Sequence, residues 1–390
     1  MMLLRAGIAL LAYTGINIYT GIRVLGLVKY FLPFFKTFIF WPLYLLFCYS
    51  FFWVYLLRLS GIQPLRLAAM YSLPLLVYFL FVLLFFDAVF LVLRLMNRPP
   101  SPVFSPAGTA IALGLALLAM IYGTFHARDI RTVHYEITLN KGEGAPLRIA
   151  HISDLHVSAT VGRKWVANIV DAVNRTKPDI ICITGDIFDT GFDAIRDLDG
   201  VAVELRRFSA PLGVYACPGN HDVDRVSADS LFSGREGAGL DRIHDFLKSA
   251  DIILLLDEVE LVADRFYLAG RRDARPIGFR QERKTAALLG AGLDKSLPLI
   301  FLDHQPLDFL REEEAGADLI LSGHTHKGQF FPGNIFTAYI FRKAGAVHYG
   351  YWRGRSAQAV VSSGAGIWGP PIRIATNSEV AVVDIQFGNK

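Results

Sequence analysis

The stretch DLILSGHTHKGQ, Asp318 to Gln329, sets a short apolar run against two histidines, His324 and His326, in a Gly-flanked turn. The first half reads as a β-strand and the second as the polar loop that leaves it. Four other stretches repeat this arrangement. LRIAHIS (147–153) runs into Asp154 and His156, and IICITGD (180–186) ends on Asp186. LGVYACPGN (212–220) delivers Asn220, with His221 and Asp222 directly after it, and LPLIFLDH (297–304) delivers Asp303 and His304. Between these runs lie helical stretches such as 164–175 and 241–249. Strands alternating with helices predict a layered α/β domain from about residue 145 onward.

The strand ends decide the reading. In open α/β sheets ligands bind where strands stop and loops begin, so side chains far apart in sequence converge there. Aspartate, asparagine and histidine together make an oxygen and imidazole donor set, which suits Mn²⁺, Fe or Zn²⁺ in a reactive site better than a structural thiolate site. One D-x-H after a strand is a common accident. Five ligand-bearing strand ends in one chain are not.

Outside this region the composition changes. The chain has 390 residues, of which 53% are hydrophobic. Its formal charge of +4 is the sum of two unlike parts: Met1 to Arg128 holds nine Lys or Arg against Asp87 alone, while 30 basic and 34 acidic residues follow. The early basic residues sit at the edges of apolar runs and read as membrane flanks. No basic stripe with interleaved aromatics follows, so no nucleic-acid partner is expected. The cysteines, Cys48, Cys182 and Cys217, suggest neither a disulfide framework nor a thiolate zinc site.

A helix needs roughly 20 apolar residues to cross a bilayer. Thr37–Leu57, Leu67–Leu93 and Ala107–Phe125 meet this, and a shorter run between Arg5 and Arg23 adds a fourth candidate. The expected organisation is a transmembrane region of three to four helices over 1–127, a linker at 128–144 containing a short strand, and the α/β domain over 145–390. Pro-rich MNRPPSPVFSP (96–106) reads as a loop between spans. With four helices the basic flanks balance, Arg5, Arg58, Arg66, Arg128 and Arg131 against Arg23, Lys29, Lys36, Arg94 and Arg98, so the sequence leaves sidedness open. Asp87, the one acid within a span, is either a paired helix-packing group or the mark of a transport path.

The motifs DLH (154–156), GD (185–186), GNHD (219–222), His304 and GHTH (323–326) together resemble the calcineurin-like metallophosphoesterases. SGHTHKGQ and the late SSGAGIWGPPIR (362–373) resemble the membrane-anchored bacterial branch of that family, with Lys327 standing where the branch usually has Gly. The resemblance implies a four-layer sandwich, two mixed sheets flanked by helices, and a bacterial inner-membrane location. It implies two divalent metal ions, Mn²⁺ first and Fe or Zn²⁺ as alternatives. Asp154, His156 and His326 would hold one ion, Asn220, His304 and His324 the other, and Asp186 would bridge them. His221 would protonate the leaving group or stabilise phosphoryl charge, with Asp222 orienting its ring. Two cations roughly 3.5–4 Å apart can clamp a phosphate for in-line attack by a bridging hydroxide.

Further expectations are less specific. Asp303 reads as a partner of a ligating histidine. Arg163, Lys164, Arg271, Arg272 and Lys327 are candidates for gripping phosphate oxygens. QFFPGNIFTAYIFR (329–342) could expose aromatic and aliphatic side chains to membrane lipid. The expected function is hydrolysis of a phosphodiester or pyrophosphate, with a lipid or lipid-linked substrate. The alternative is a catalytically silent metal-binding scaffold that binds a lipid or protein. The sequence does not set the oligomeric state.

Overall fold

A computed structural model of the chain describes residues 2–57, 62–97, 106–189, 192, 195–222, 238–274 and 283–388. The chain forms two units, a helical one within residues 1–125 and an α/β one over 126–368 and 372–390.

The helical unit contains α1 (Met2–Phe31), α2 (Thr37–Cys48), α3 (Ser50–Leu56), α4 (Gln63–Leu95) and α5 (Pro106–His126). Among the described residues, three helical segments are long and apolar enough to cross a membrane: Gly7–Phe31, Gln63–Leu95 and Pro106–His126. This reverses the expected ranking of two runs. The run beginning at Arg5 does not stop at Arg23, because that guanidinium meets the Asp87 carboxylate at 3.1 Å and the helix continues to Phe31. The run at Thr37–Leu57 is instead cut at Tyr49, which has φ −91° and ψ 8°. Carbonyls freed at that break find side-chain donors. The Tyr13 hydroxyl donates to Cys48 O at 2.5 Å and the Trp53 indole to Leu46 O at 2.7 Å. Helices α4 and α5 share a small cluster of Phe79, Leu83, Ala112 and Ala116, the small residues allowing close backbone approach. Of the Pro-rich loop, residues 98–105 lie outside the described residues.

The α/β unit begins earlier than expected. The stretch 128–144, expected as a linker, contains β1 (Ile130–Leu139), a ten-residue strand fully paired in a sheet. The remaining elements are β2 (Leu147–Ile152), α6 (Arg163–Arg175), β3 (Ile180–Thr184), α7 (Leu198–Leu205), β4 (Val214–Cys217), α8 (Ala238–Ser249), β5 (Ile253–Leu254), β6 (Glu258–Val262), β7 (Phe266–Gly270), α9 (Ala286–Gly290), β8 (Leu299–Leu302), α10 (Phe309–Glu314), β9 (Leu319–Ser322), α11 (Gly333–Lys343), β10 (Gly350–Arg353), β11 (Gln358–Val361) and β12 (Ser378–Phe387).

They build two six-stranded sheets, ordered β1-β12-β2-β3-β4-β5 and β10-β11-β9-β8-β7-β6. Both are mixed: β2 to β5 run parallel while β12 opposes β2, and β7, β8, β9 and β11 run parallel while β6 and β10 are reversed. Side-chain alternation sorts the apolar residues into layers. In β3, Ile180 and Cys182 enter the core between the sheets, while Ile181 and Ile183 face the cluster under α6, α7 and α8. In β9, Leu319 and Leu321 point between the sheets, and Ile320 lies in the outer cluster with α9 and α10 residues. Helix α6 shows why it covers a sheet: Trp165, Val166, Ile169, Val170 and Val173 are buried at helical spacing. The result is the expected four-layer sandwich. The free Cys182 and Cys217 are packed in its central core.

Parallel strands end at the same edge. The loops after β2, β3 and β4 therefore emerge together from one sheet, and those after β8 and β9 together from the other. His304 Nδ1 donates to Thr184 O at 2.9 Å, joining the ends of β8 and β3.

Candidate metal centre

All seven expected ligands meet at this joined edge. Nε2 of His156 lies 2.9 Å from Nε2 of His326, which is 3.3 Å from Asp154 Oδ1. Nε2 of His304 lies 3.2 Å from Asn220 Oδ1 and 3.2 Å from His324 Nδ1. Asp186 stands between the groups, with Oδ2 3.2 Å from His304 Nε2 and 3.6 Å from His156 Nε2. Its other oxygen accepts the His221 backbone N–H at 2.8 Å, which fixes the carboxylate. Donor atoms bound to one cation at about 2.1 Å and separated by 90–110° stand about 3.0–3.4 Å apart. Four of the six donor–donor separations fall in that range, and the other two, 2.9 and 3.6 Å, lie just outside it.

The backbone is bent to achieve this. Asp154, His156, Asp186, His324 and His326 all have positive φ, from 48° to 71°. Such values are uncommon for residues with a Cβ and gather at functional sites. Glycines make the room. A Cβ on Gly323 would overlap Ser153 Oγ and lie 2.5 Å from Asp154 Oδ2. One on Gly185, at φ +73°, would lie 2.6 Å from His304 Nδ1. The His324 backbone N–H also donates to Asp154 Oδ2 at 3.0 Å, tying the last ligand loop to the first.

The electrostatics fit cations. Burial, reinforced by the neighbouring His304 charge, pushes the His324 pKa down to about 3. Burial and then His156 hold His326 well below the usual imidazole range. Both rings are therefore neutral near pH 7 and offer lone pairs. Burial alone would raise Asp186, but His304, His156 and His221 together outweigh it and hold the carboxyl well below its usual range. Burial lowers the His304 pKa, but the Asp186 and Asp154 charges raise it well above the usual imidazole range; its Nδ1–H bond to Thr184 O turns Nε2 toward the centre, where a bound cation would replace the Nε2 proton. The residues present thus fit a pair of divalent ions.

His221 borders the centre, but its partner is not the expected one. Asp222 points away into the backbone, accepting N–H groups of Gly219 at 2.8 Å, Phe188 at 2.9 Å and Ile187 at 3.2 Å. Burial and then the Asp186 charge push its pKa up to about 7 against these bonds. The carboxylate facing the His221 ring belongs to Asp189, whose Oδ1 lies 3.3 Å from His221 Nδ1 and 3.4 Å from His156 Nδ1. Sequence reasoning missed Asp189; the signal available was its place three residues after Asp186 in GDIFD. Trp368, 53% exposed, has its ring centroid 6.4 Å from that of His221 and forms part of the rim.

Arg373 was also missed. It is fully buried, and its guanidinium donates to the carbonyls of Ser363 (2.7 Å), Gly366 (2.9 Å), Gly364 (3.2 Å) and His326 (3.3 Å). Gly366 N in turn donates to Asp154 O at 3.0 Å. Arg373 therefore pins two ligand loops through their backbones.

The expected phosphate-gripping cations fare unequally. Lys327 stays on the ligand loop, half-buried, with Nζ 3.8 Å from the centroid of the Tyr349 ring. Arg271 is not open to substrate. It is buried and bonds Glu312 at 2.7 Å and Asp303 at 2.9 Å. The pairing also removes Asp303 from its expected role beside a ligating histidine, since Arg283 takes the same carboxylate oxygen. Arg163 heads α6, half-exposed, and pairs with Glu204 at 2.9 Å; Lys164 next to it is exposed. Arg272 lies 3.6 Å from Asp257.

Residues 147–328 match the calcineurin-like phosphoesterase family. An uncharacterised metallophosphoesterase of Campylobacter jejuni is 27% identical over 78% of this chain and 78% of its own length. A transmembrane protein with metallophosphoesterase domain from Danio rerio is 29% identical over 78% of this chain and 71% of its own. An uncharacterised metallophosphoesterase of Aquifex aeolicus is 29% identical over 70% of this chain and 98% of its own. With the sandwich fold and the convergent donors already in place, the match identifies residues 147–328 as a calcineurin-like metallophosphoesterase domain, a hydrolase of phosphate esters.

Proposed function

We propose that the chain is a membrane-anchored, dinuclear metal-dependent phosphohydrolase acting on a phosphodiester or pyrophosphate of a lipid or lipid-linked substrate. The observation that carries this reading is the convergence of Asp154, His156, His326, Asn220, His304, His324 and Asp186 with His221 at their edge. A chain kept only as a binding scaffold has no need of the full set.

Two divalent ions, with Mn²⁺ the first candidate, would supply Lewis acidity and a nucleophilic oxygen near neutral pH. The chain's own groups do the rest. Asp186 Oδ2 faces both donor groups and would offset the positive charge of the ions they would hold. His221, held by Asp189, donates a proton to the leaving oxygen as the P–O bond breaks. Lys327 adds positive charge on the ligand loop. Arg373 keeps the His326 and Asp154 loops in register without touching substrate. Support for a lipid-side substrate comes from three membrane-length helices, relatives named as transmembrane proteins, and the exposed Trp368 beside His221. The resemblance to the bacterial branch supports an inner-membrane location.

The test is hydrolysis of bis(p-nitrophenyl) phosphate by the purified chain with Mn²⁺ or with EDTA, beside Asp186→Asn. Metal-dependent turnover lost in the variant is expected; metal binding with no turnover would favour the scaffold. Detergent-solubilised lipid pyrophosphates against soluble nucleotides then tests the substrate class, and turnover of nucleotides alone would exclude the lipid part.

A further inference from the structure

Helix α11 is built inside out. None of its residues is buried, and its exposed apolar side chains are Ile335 (57%), Phe336 (62%), Tyr339 (63%) and Ile340 (59%). At 100° per residue these four cover an arc of about 140°. The half-buried Thr337, Ala338 and Phe341 fall on the opposite side. A helix on a water-facing surface normally turns its polar stripe outward. Here the outward stripe is apolar, and Phe331 (38% exposed) precedes it. Arg342 and Lys343, both exposed, close the same arc at the C-terminal turn.

The helix is joined firmly to the metal centre. Its first residues pack against the turn that follows His326, so closely that a Cβ on Gly328 would overlap Asn334. The Gln329 side chain, between that turn and α11, accepts Trp368 N–H and donates to Trp368 O, both at 2.8 Å. One rigid segment thus links the ligand loop, the Trp368 rim beside His221, and the apolar helix.

We propose that α11 is an interfacial helix that lies in the surface of an anionic lipid bilayer, sinking Ile335, Phe336, Tyr339 and Ile340 into the acyl boundary and leaving Arg342 and Lys343 at the phosphate level. An apolar stripe ending in basic residues has the chemistry of that surface. A bilayer is also the one large apolar surface the chain keeps within reach through its own membrane-length helices. Because α11 and the site rim share a segment, insertion would bring the metal centre to headgroups. This deepens the lipid-side reading above but is tested separately from it.

The full-length chain is reconstituted in phosphatidylglycerol-containing vesicles with a single environment-sensitive label at Phe336→Cys or Ile340→Cys, and at Lys248→Cys on α8 as an aqueous reference. The native cysteines Cys48, Cys182 and Cys217 are buried and label poorly. Nitroxide-bearing lipids should quench the α11 labels severalfold more than the reference, and aqueous iodide severalfold less. Iodide quenching of all positions alike overturns the proposal. Protection from both quenchers also overturns it, in favour of a protein surface on α11. In the doubly substituted Phe336→Asp, Ile340→Asp chain, turnover of a vesicle-borne phosphate ester should fall at least tenfold with bis(p-nitrophenyl) phosphate turnover retained. If the unsubstituted chain turns over no lipid ester yet its α11 labels report lipid, the substrate reading fails and the docking stands.

Discussion

The assignment of Asp189, rather than Asp222, as the partner of His221 yields a sharp experiment, because both are buried or nearly so and both become neutral on substitution by asparagine. Asp189 Oδ1 sits 3.3 Å from His221 Nδ1. At that distance an effective dielectric of about 20 gives a Coulomb attraction of about 5 kcal/mol, which bounds the effect from above. With partial exposure raising the effective dielectric to about 40–80, the attraction is about 1.3–2.5 kcal/mol, so Asp189→Asn should lower kcat/KM by about 10- to 70-fold. The loss should depend on the leaving group. p-Nitrophenolate departs without a proton, whereas an alkoxide leaving group needs one from His221. The variant should therefore lose much more activity on an alkyl or lipid-type ester than on bis(p-nitrophenyl) phosphate. Asp222→Asn should behave otherwise. Its carboxylate accepts three backbone N–H groups at 2.8–3.2 Å, and an amide cannot accept all of them as well. That variant should lose melting temperature and metal occupancy, with equal loss across leaving groups. Steady-state kinetics on an ester series, with thermal unfolding and metal content measured on the same samples, separates the two patterns. If Asp189→Asn shows no leaving-group dependence, or Asp222→Asn shows all of it, the assignment of partners is wrong.

Two further outcomes follow from the geometry. Gly323→Ala should abolish activity and sharply reduce metal content, because the new Cβ would overlap Ser153 Oγ and displace the Asp154 carboxylate; full metal stoichiometry by elemental analysis would show that the loop yields instead. In the helical unit, Asp87→Leu should destabilise the protein in detergent by about 2–3 kcal/mol, since it leaves the Arg23 guanidinium without its carboxylate in apolar surroundings, while the double Asp87→Leu, Arg23→Leu chain should recover most of the loss. Equal stability of the single and double variants in denaturant titrations would mean that the pair is solvated and idle.

The convergence of the candidate donors was legible because each follows an apolar run, and parallel strands of one sheet must end at one edge. What sequence could not supply is the direction of a side chain within a loop. Asp222 is adjacent to His221 in sequence, yet the turn aims it back at the amides of Gly219, Ile187 and Phe188. Asp189 reads as an ordinary loop acid until the fold carries it to the ring from 32 positions away in the chain. Arg271 follows a strand that ends near the centre and so resembles a phosphate ligand, but Glu312 on α10 and Asp303 draw it inward.

The same rule governs the misread helix and the misread arginines. Charge in apolar surroundings is expensive unless paired, so an isolated charge read along the chain looks like a boundary or a surface. Arg23 looks like the end of a span, and Arg373 is only the last residue of SSGAGIWGPPIR. Once Asp87 meets the first and four backbone carbonyls meet the second, neither is a boundary. Arg23 becomes an interior contact between α1 and α4, and Arg373 the pin that holds the His326 loop against the Asp154 loop. Periodicity and composition report only the unpaired cost of such a residue. Its partner, and therefore its role, is fixed by contacts between elements that lie 64 positions apart for the Arg23–Asp87 pair and 47 for Arg373 and His326.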